Sequence, residues 1–440
     1  MSRIISRNNF LKKSTLLFLG TTLTSQLLSS KIVEETFIMA NKKKYTLKNV
    51  LLETGFEYDG SKVVGTTTSL FCIDINEGKI EKIYENQPSI EGIDAAGLLM
   101  LPSFKDMHIH LDKTTYTEKW KAIDRKGGIT EMIALEQQIM PELLKNSTYK
   151  AEKMIELLQS KGTGFARSHV NIETTSKLES LKNLEIALNN KKNTFETELV
   201  IFPQHGLFYT DSLPLMKDAA QMNIDFIGGL DPTSIDGSIE KPMDATIQLA
   251  LDHNKGIDIH LHETGESGLK TIEYLINKVN ENPTLKGKTF VSHCFVLATL
   301  DPSKLEDISL KLANAQIGVT STIPVGKITM PIPTLLKNGV NVTAGNDSIV
   351  DHWSTMGTGS VLQKANLAAL LYGQFSEFQL SRLLKLATDG ITPLDDNGNQ
   401  QWPKKGDDAS FVLVEASCSA EAVSRVSPIK SLSSKGNIVF

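Results

Sequence analysis

The central region of the chain, from Leu98 to about Thr388, repeats one pattern: an apolar, β-rich run, then a polar junction, then an amphipathic stretch. This alternation is typical of parallel βα units. Eight runs qualify as strands, and eight is the number that closes a TIM barrel. We place them at 98–104 (running on to the histidines that follow), 164–172, 198–206, 224–232, 256–263, 289–294, 316–322 and 340–347. The pattern predicts an α/β fold, a distorted (β/α)8 TIM barrel over residues 98–388.

The stretches between these strands include four with apolar residues at helical spacing, at 150–161, 180–191, 243–254 and 268–280. The flanks of the barrel region differ, because short alternating runs separated by glycines are typical of antiparallel strands. Such runs occupy 45–52, 66–75 and 79–85, and Ser410–Glu415 gives one more near the C-terminus. We expect residues 45–97 and 389–440 to form one small β-sandwich that clasps the barrel from both ends.

Residues 1–38 form a separate, signal-like N-terminal segment. Its start is basic, and the apolar stretch from Ser14 to Leu28 has the length of a signal h-region and is too short to span a bilayer. The piece SRNNFLK resembles a twin-arginine export motif with Asn8 in place of the second arginine, and no clean A-x-A site follows. The prediction is export to the cell envelope. The alternative is a cytoplasmic protein that starts at Met39.

Charge and cysteine content narrow the class of partner. The 46 basic and 51 acidic residues give a net charge of −5, and no basic block occurs in the body of the chain. Nucleic acid and anionic membrane surfaces are therefore poor partners. Cys72, Cys294 and Cys418 lie far apart, which argues against a disulfide framework or a structural zinc. We expect a small-molecule substrate, no nucleic acid and no integral membrane span after the signal-like segment, and we leave a homo-oligomer open.

Histidines concentrate where the predicted strands end, and this is the face on which TIM barrels carry their functional groups. Seven of the nine lie there: His108, His110, His169, His205, His260, His262 and His293. His108 and His110 are an i, i+2 pair, so their side chains point to the same side of a strand and are able to share a metal. For that pair alone, two solvated histidines at a strand tip are an equally good interpretation. The whole set favours a metal or catalytic site.

Five motifs occur in order along the predicted barrel: HIHLDK after the first strand, FPQ after the third, HLHE on the fifth, SHC on the sixth and GNDSIVDHW on the eighth. Together they resemble the amidohydrolase superfamily, specifically its cytosine-deaminase-like branch, over nearly all of residues 46–414. The resemblance implies one divalent metal ion, zinc or iron, held by His108, His110, His260 and Asp347. Such a donor set leaves room for a water whose pKa the metal lowers towards neutrality.

The resemblance also implies the reaction, which is deamination of a nitrogen heterocycle, such as a pyrimidine- or triazine-like ring, by metal-hydroxide attack. In that reaction Asp347 accepts the proton of the attacking water and Glu263 donates a proton to a ring nitrogen. His293 stabilises the developing charge or helps to position the attacking hydroxide, and the alternative is a buried histidine bonded to the backbone. His262 stands where related cytosine deaminases carry an aspartate, and we expect it to contact a metal ligand or the substrate. His169 is expected to support the metal ligands by hydrogen bonding.

Four further residues are candidates for binding the substrate. Gln204 presents a donor and an acceptor to the N–H/C=O edge of a ring, and Trp353 is expected to pack on the ring face. Lys113 is expected to pair with an anionic or carbonyl group, with a solvated surface charge as the alternative. Ser348 replaces a second acidic residue of cytosine deaminase, which argues against cytosine itself as the substrate. Residues 116–120 are a candidate lid.

The fourth predicted strand bears on the number of metals. Binuclear members of the superfamily bridge two metals with a carboxylated lysine or another ligand there, and this chain reads FIGGLDPT, in which we interpret Asp231 as a turn residue. One metal and deamination are therefore favoured. Two alternatives stay open: a cyclic amidase or imidohydrolase of the same superfamily that opens a ring C–N bond, and an exported, non-catalytic binding protein on a barrel scaffold.

Overall fold

A computed structural model describes residues 43–123 and 127–440. The signal-like segment 1–38 and the alternative start at Met39 lie outside the described residues, so export and its cytoplasmic alternative stay predictions. Within the described ranges, no helix combines the length and the apolar character needed to cross a membrane.

Five strands precede the barrel. They are β1 (Lys44–Asp59), β2 (Lys62–Asn76), β3 (Lys79–Glu85), β4 (Ile93–Asp94) and β5 (Leu99–Pro102). β1, β2 and β3 pair antiparallel in that order. Gly60 and Gly78, in the two connecting turns, have φ of +62° and +76°, which glycine adopts without the strain that a side chain would bring. The three N-terminal strands predicted from the alternating runs are thus confirmed, although β1 and β2 are longer than expected.

Eight parallel strands form the barrel, each hydrogen-bonded to the next in chain order. They are β6 (Phe104–Ile109), β7 (Thr163–Asn171), β8 (Glu196–Phe202), β9 (Phe226–Leu230), β10 (Gly256–His260), β11 (Thr289–Ser292), β12 (Ile317–Ser321) and β13 (Val342–Ala344). The two ends of the sheet meet beyond β13, where Ile109 forms a parallel bridge with Asp347 and the backbone N–H of Asp347 donates to the carbonyl of His108 at 2.7 Å. The predicted distorted (β/α)8 barrel is confirmed.

Helices follow the barrel strands, as the sequence pattern predicts. They are α1 (Ile129–Leu143), α2 (Ser147–Ser160), α3 (Glu179–Lys191), α4 (Leu213–Ala219), α5 (Glu240–Asp252), α6 (Gly265–Glu281), α7 (Pro302–Asn314), α8 (Ile332–Lys337), α9 (Val361–Tyr372), α10 (Glu377–Leu383) and α11 (Lys385–Thr388). Short 3₁₀ turns occur at Leu144–Asn146, Pro283–Leu285 and Phe295–Thr299. All four predicted helical stretches are helices, namely α2, α3, α5 and α6.

The chain then returns to the N-terminal strands. β14 (Phe411–Val414), α12 (Ser419–Arg425), β15 (Ile429–Ser434) and β16 (Asn437–Ile438) complete the fold. The strands of both flanks form one eight-stranded mixed sheet in the order β16-β15-β14-β5-β1-β2-β3, with β4 paired to β1. The two flanks thus build a shared structure, as expected, and they do so in a single hydrogen-bonded sheet, which we call the flanking sheet.

The predicted strand at 98–104 is wrong in one respect: it is two strands in two sheets. β5 pairs with β14 and β1 of the flanking sheet, and only β6, which begins at Phe104, belongs to the barrel. Leu99 and Leu101 pack into the barrel core, whereas Met100 packs into the core of the flanking sheet. A strand buried on both faces has no polar alternation, so the apolar run did not reveal where one sheet ends and the other begins.

Candidate active site

Four predicted metal ligands meet at the carboxyl ends of the barrel strands. His108 and His110 lie at the end of β6 and just beyond it, His260 ends β10 and Asp347 follows β13. The Nε2 atoms of His108 and His110 are 3.4 Å and 3.3 Å from the same oxygen of Asp347. Nε2 of His260 is 3.4 Å from Nε2 of His110. The structure therefore brings together four side chains that come from three distant parts of the chain.

The donor atoms of these residues suit one shared cation. One donor atom from each of His108, His110 and His260 lies within 4.8 Å of the others, and the same holds for His108, His293 and Asp347. Burial lowers the pKa of His110 to about 4 and holds the pKa of His260 and of His293 well below its ordinary value, so the imidazoles are neutral. Burial alone would raise the pKa of Asp347, but the adjacent imidazoles of His108 and His110 hold it well below its usual range. Neutral imidazoles with one carboxylate are a donor set that zinc and iron accept.

The backbone at the site is strained. His293 and Asp347 have φ of +67° and +64°, each just beyond the end of its strand. A non-glycine residue in this left-handed region costs of order 1 kcal/mol, and such residues cluster at functional sites. In this conformation Nε2 of His293 lies 3.9 Å from the second carboxylate oxygen of Asp347. His293 is thus beside the proposed ligands, where the sequence predicts it.

A chain of hydrogen bonds fixes the orientation of His108. Its Nδ1 lies 2.7 Å from Oγ of Ser292, and that hydroxyl donates to Asp258 at 2.7 Å. Asp258 also pairs with Arg167 at 3.2 Å. Because the Ser292 proton is used on Asp258, the hydroxyl oxygen accepts the Nδ1–H of His108, which leaves Nε2 unprotonated and directed at Asp347.

The hydrogen-bonding role predicted for His169 is wrong. Neither ring nitrogen of His169 has a hydrogen-bond partner among the described residues, and its Nε2 is 3.8 Å from the nearest Asp258 oxygen. The fully buried ring instead packs against His108 and His260, with centroid separations of 4.2 Å and 4.6 Å. His169 therefore supports the two ligands by contact and not by a hydrogen bond.

A cavity of about 440 Å³ opens over the proposed ligands. Its lining contains all four predicted substrate contacts, namely Lys113, Gln204, Ser348 and Trp353. The cavity is of the size that encloses a small ring substrate. The predicted lid at 116–120 is not among the described residues that line it, whereas Ile129 and Met132 of α1 are.

Lys113 is not a solvated charge. Its side chain is 1% exposed, and Nζ donates to Oε1 of Gln204 at 2.5 Å and to Oδ1 of Asn171 at 3.3 Å. The alternative interpretation from the sequence is therefore wrong. The bond to Nζ also fixes the Gln204 amide, because its oxygen is occupied and its NH2 group remains as the donor for a ligand.

One carboxylate oxygen of Glu263 is engaged by a loop, and the other, Oε2, is buried without a hydrogen-bond partner among the described residues. Oε1 of Glu263 accepts from the backbone N–H groups of Thr233 and Ser234 at 2.9 Å and 2.7 Å, and Glu263 is not among the described residues that line the cavity. His262 does line it, with Nδ1 2.8 Å from a carboxylate oxygen of Asp231. Burial would lower the pKa of His262, but the hydrogen bond to Asp231 raises it. Asp231, interpreted from the sequence as a turn residue, is thus the partner of a cavity histidine.

Comparison with protein-family models agrees with this geometry. Residues 146–439 match the model of the amidohydrolase family. The chain belongs to the amidohydrolase family. It is 48% identical over 402 residues to an uncharacterized protein, YahJ, of Escherichia coli (strain K12), a match that covers 90% of this chain and 87% of that protein.

Two further likenesses place this amidohydrolase within its superfamily. It is 28% identical over 337 residues to the N-isopropylammelide isopropyl amidohydrolase of Pseudomonas sp. (strain ADP), over 74% of this chain and 81% of that one. The crystal structure of 5-methylcytosine deaminase from Klebsiella pneumoniae has the same fold, with a TM-score of 0.74 and 22% identity over 90% of this chain and 97% of that one. The predicted superfamily is confirmed, and the chain is a hydrolase that acts on carbon–nitrogen bonds.

The sequence pattern missed several residues that this amidohydrolase places around its site. Ser292 and Asp258 lie on strands β11 and β10 and orient His108, but single serines and aspartates inside apolar runs carry no motif. Glu136, a fully buried carboxylate on α1, lies behind the cavity wall. The one available signal was that a strand such as GIDIH carries an aspartate at a position that should be apolar.

Proposed function

We propose that the protein is a mononuclear metal-dependent hydrolase that replaces an exocyclic amino or alkylamino group of a nitrogen heterocycle with a hydroxyl group. The observation that carries the proposal is that His108, His110 and His260 bring donor atoms together, with Asp347 against the first two, beside a cavity that His110, His260 and Asp347 help to line. The likeness to an N-isopropylammelide amidohydrolase supports the substrate class. The departure at Ser348 still argues against cytosine as the substrate.

The four ligands fit one divalent ion, zinc or iron. Buried imidazoles with lowered pKa values present lone pairs and not protons, and the Ser292 bond directs Nε2 of His108 towards the shared point. A divalent metal held by these residues would supply a hydroxide at neutral pH and would polarise the substrate. The bridging lysine of binuclear members of the superfamily has no counterpart on β9, which ends in Leu230 and carries no lysine.

Asp347 is suited to take the proton of the attacking water. Its carboxylate is ionised, and its two oxygens lie 3.3 Å from His110 and 3.9 Å from His293. His293, neutral and beside the second oxygen, is placed to stabilise negative charge that develops on the substrate. These are the roles that the sequence predicts for the two residues.

We assign the contact with the substrate ring nitrogen to His262 in place of Glu263. Asp231 accepts from Nδ1 of His262, so Nε2 is the ring atom available to a molecule in the cavity. Glu263 instead holds the loop after β9 through Thr233 and Ser234, and so supports the wall that contains Asp231. Its role in the proposal is to position that loop.

The remaining cavity groups define a recognition edge. Gln204 offers its NH2 group and Lys113 its ammonium group, and both are donors, so they match carbonyl or anionic oxygens on the ring. Trp353 presents an aromatic face in the same lining. A suitable substrate ring therefore carries an oxo group, which accepts from these donors, and an amino substituent, which the reaction removes.

The experiment is a product screen with N-isopropylammelide, cytosine and a cyclic imide, in which released amine or ammonia is assayed together with the mass of the product. The proposal predicts amine release from the triazine with exchange of the substituent for a hydroxyl group. A product that has gained a whole water, with no amine released, identifies the ring-opening alternative. Absence of turnover on every amino-substituted ring by metal-replete protein contradicts the proposal.

A further inference from the structure

Glu136 is a buried carboxylate behind the cavity wall and takes no part in the proposed reaction. It lies on α1, is 0% exposed, and is not among the described residues that line the cavity. One oxygen accepts from Nδ2 of Asn171, and the other lies 2.6 Å from Nε2 of His352 and also accepts from the indole N–H of Trp353. A carboxylate so enclosed holds its place only because its neighbours are donors or cations.

Lys113 is one of those cations. Its ammonium lies 3.6 Å from Oε2 of Glu136, and its two hydrogen-bond acceptors, Gln204 and Asn171, are neutral amides. Burying an ammonium without a nearby opposite charge is costly, so a neutral neighbourhood would not hold this side chain inward. Coulombic attraction to Lys113 lowers the pKa of Glu136 well below its usual value against the opposing effect of burial. Glu136 is thus the counter-charge of the cavity lysine.

Trp353 meets the same carboxylate from another segment. Its Nε1–H donates to the Glu136 oxygen that faces Lys113, and the Lys113 ammonium lies 5.6 Å from the Trp353 ring centroid. Lys113 follows β6 and Trp353 follows β13, so the two come from opposite ends of the barrel sequence. One carboxylate oxygen therefore fixes both the cation and the aromatic face that line one side of the cavity.

We infer that Glu136 is a positioning residue that holds Lys113 and Trp353 as one wall, and that this wall selects heterocycles with an oxo or anionic oxygen on the edge it faces. The inference rests on the proposed function, since it assumes a ring substrate in this cavity. It assigns Glu136 no contact with the reacting atoms. Removal of the Glu136 carboxylate should weaken substrate binding, because Lys113 and Trp353 are no longer held in position. The positions of the proposed metal ligands should not change.

The kinetic test is Glu136→Gln, with Glu173→Gln as the matched control. Glu173 is also a fully buried carboxylate of this polar cluster, and it contacts His205 at 3.2 Å and accepts from the backbone N–H of Ser176 at 2.7 Å. With N-isopropylammelide we expect Glu136→Gln to raise KM about tenfold or more and to leave kcat within about threefold. Glu173→Gln should leave KM near that of the wild type. Equal effects of the two variants on KM, or a loss confined to kcat, overturn the inference.

A double variant separates positioning from loss of structure. Because Glu136 acts partly through Lys113, we expect Glu136→Gln to raise KM by a smaller factor in a Lys113→Met background than in the wild type, since neighbouring residues that act together are not additive. If the KM increase of the double variant equals the product of the two single increases, the inference is contradicted. Glu136→Asp, which keeps the charge on a shorter side chain, should recover part of the lost affinity. This variant also serves if Glu136→Gln does not fold.

A fluorescence measurement needs no turnover and so distinguishes failure of the inference from failure of the proposed function. The chain has three tryptophans, and Trp120 is the most exposed of them at 64%. In a Trp120→Phe background, Glu136→Gln removes the charged acceptor of the Trp353 N–H and should change the emission spectrum, whereas Glu173→Gln should not. Unchanged emission for Glu136→Gln overturns the inference even if the protein hydrolyses the triazine. Changed emission without turnover supports the inferred wall and contradicts the proposed function alone.

Discussion

Nδ1 of His108 lies 2.7 Å from Oγ of Ser292, and this contact decides which nitrogen of the imidazole is free. The hydroxyl of Ser292 in turn donates a hydrogen bond to Asp258, whose charge is balanced by Arg167 at 3.2 Å. The Arg167 guanidinium lies 4.1 Å and 4.0 Å from the ring centroids of Phe226 and Phe290. These contacts hold in place the hydrogen-bonded relay that runs from His108 through Ser292 and Asp258 to Arg167. The proposed metal site is therefore supported by hydrogen bonds that run into the protein interior.

Ser292→Ala should weaken metal binding about 10- to 100-fold, because His108 loses the acceptor that sets its tautomer and orientation. Metal affinity is measured by competition with a chromophoric chelator, which requires no substrate. Ser309→Ala is the control, since Ser309 is equally buried but donates to the backbone of Glu306 on α7. If the two variants bind metal with the same affinity, the relay does not orient the ligand.

Gly345→Ala should disrupt the site sterically. A Cβ at Gly345 would lie 2.5 Å from the Cβ of His108 and 2.6 Å from its backbone N and O, so one of the two strands has to move. We expect a loss of about 1–3 kcal/mol in unfolding free energy together with weakened metal binding. Gly229→Ala is the control on another barrel strand, β9, where the nearest atom is a side-chain carbon of Ile259 at 3.5 Å. Urea unfolding and metal titration of both variants test the prediction, and wild-type metal affinity of Gly345→Ala argues against it.

Asp231→Asn should lower kcat about 100-fold, because an amide NH2 facing Nδ1 of His262 favours the wrong tautomer and orientation of the ring. Asp225→Asn is the control, since Asp225 lies before the same strand and accepts from the backbone of Leu199 at 2.8 Å, away from the cavity. Steady-state kinetics of amine release distinguish the two. If Asp231→Asn has a normal kcat, His262 does not have the role in the reaction that we propose.

The stability of the protein should depend on pH through the raised pKa of His205. Burial would lower its pKa, but Glu136 and Glu173, 3.4 Å and 3.2 Å away, raise it to about 9 from 6.5. A group whose pKa is raised on folding contributes stability that is fully present below pH 6.5 and is lost as the pH rises through about 9. The shift corresponds to about 3 kcal/mol at most. Urea unfolding at pH 6 and pH 10 should show a larger loss in the wild type than in His205→Gln, and equal losses contradict the ion-pair assignment.

The barrel was predictable because it depends on local patterns: eight apolar runs at regular intervals define the strands, and functional side chains gather where those strands end. The proposed ligand set, including Asp347, came from the resemblance carried by the ordered motifs and not from spacing alone. The boundary at Ser103 was not predictable, because β5 is buried on both faces and resembles the start of β6. The spacing of apolar residues does not show which sheet a strand joins when both faces of that strand are buried.

The partners of the site residues depend on long-range contacts and were not predictable. Glu136 lies in the stretch EMIALEQQIM, where a glutamate beside glutamines looks like the solvent face of a helix. Only the folded chain shows that it is buried against Lys113 and Trp353. Likewise, the family motif selected Glu263 as a proton donor. In the structure, the backbone of Thr233 and Ser234 donates to one of its carboxylate oxygens, and His262 is the residue of this segment that lines the cavity.

The central claim is that one metal ion, held by His108, His110, His260 and Asp347, is required to release an amine from a ring substrate. The most direct measurement is a titration of chelator-treated protein with zinc or ferrous iron while amine release from N-isopropylammelide is followed. The account predicts no release without metal and activity that rises to a break at one metal per chain, with neither binding nor recovery in Asp347→Ala. Amine release by metal-free protein, or a break at two metals per chain, contradicts it.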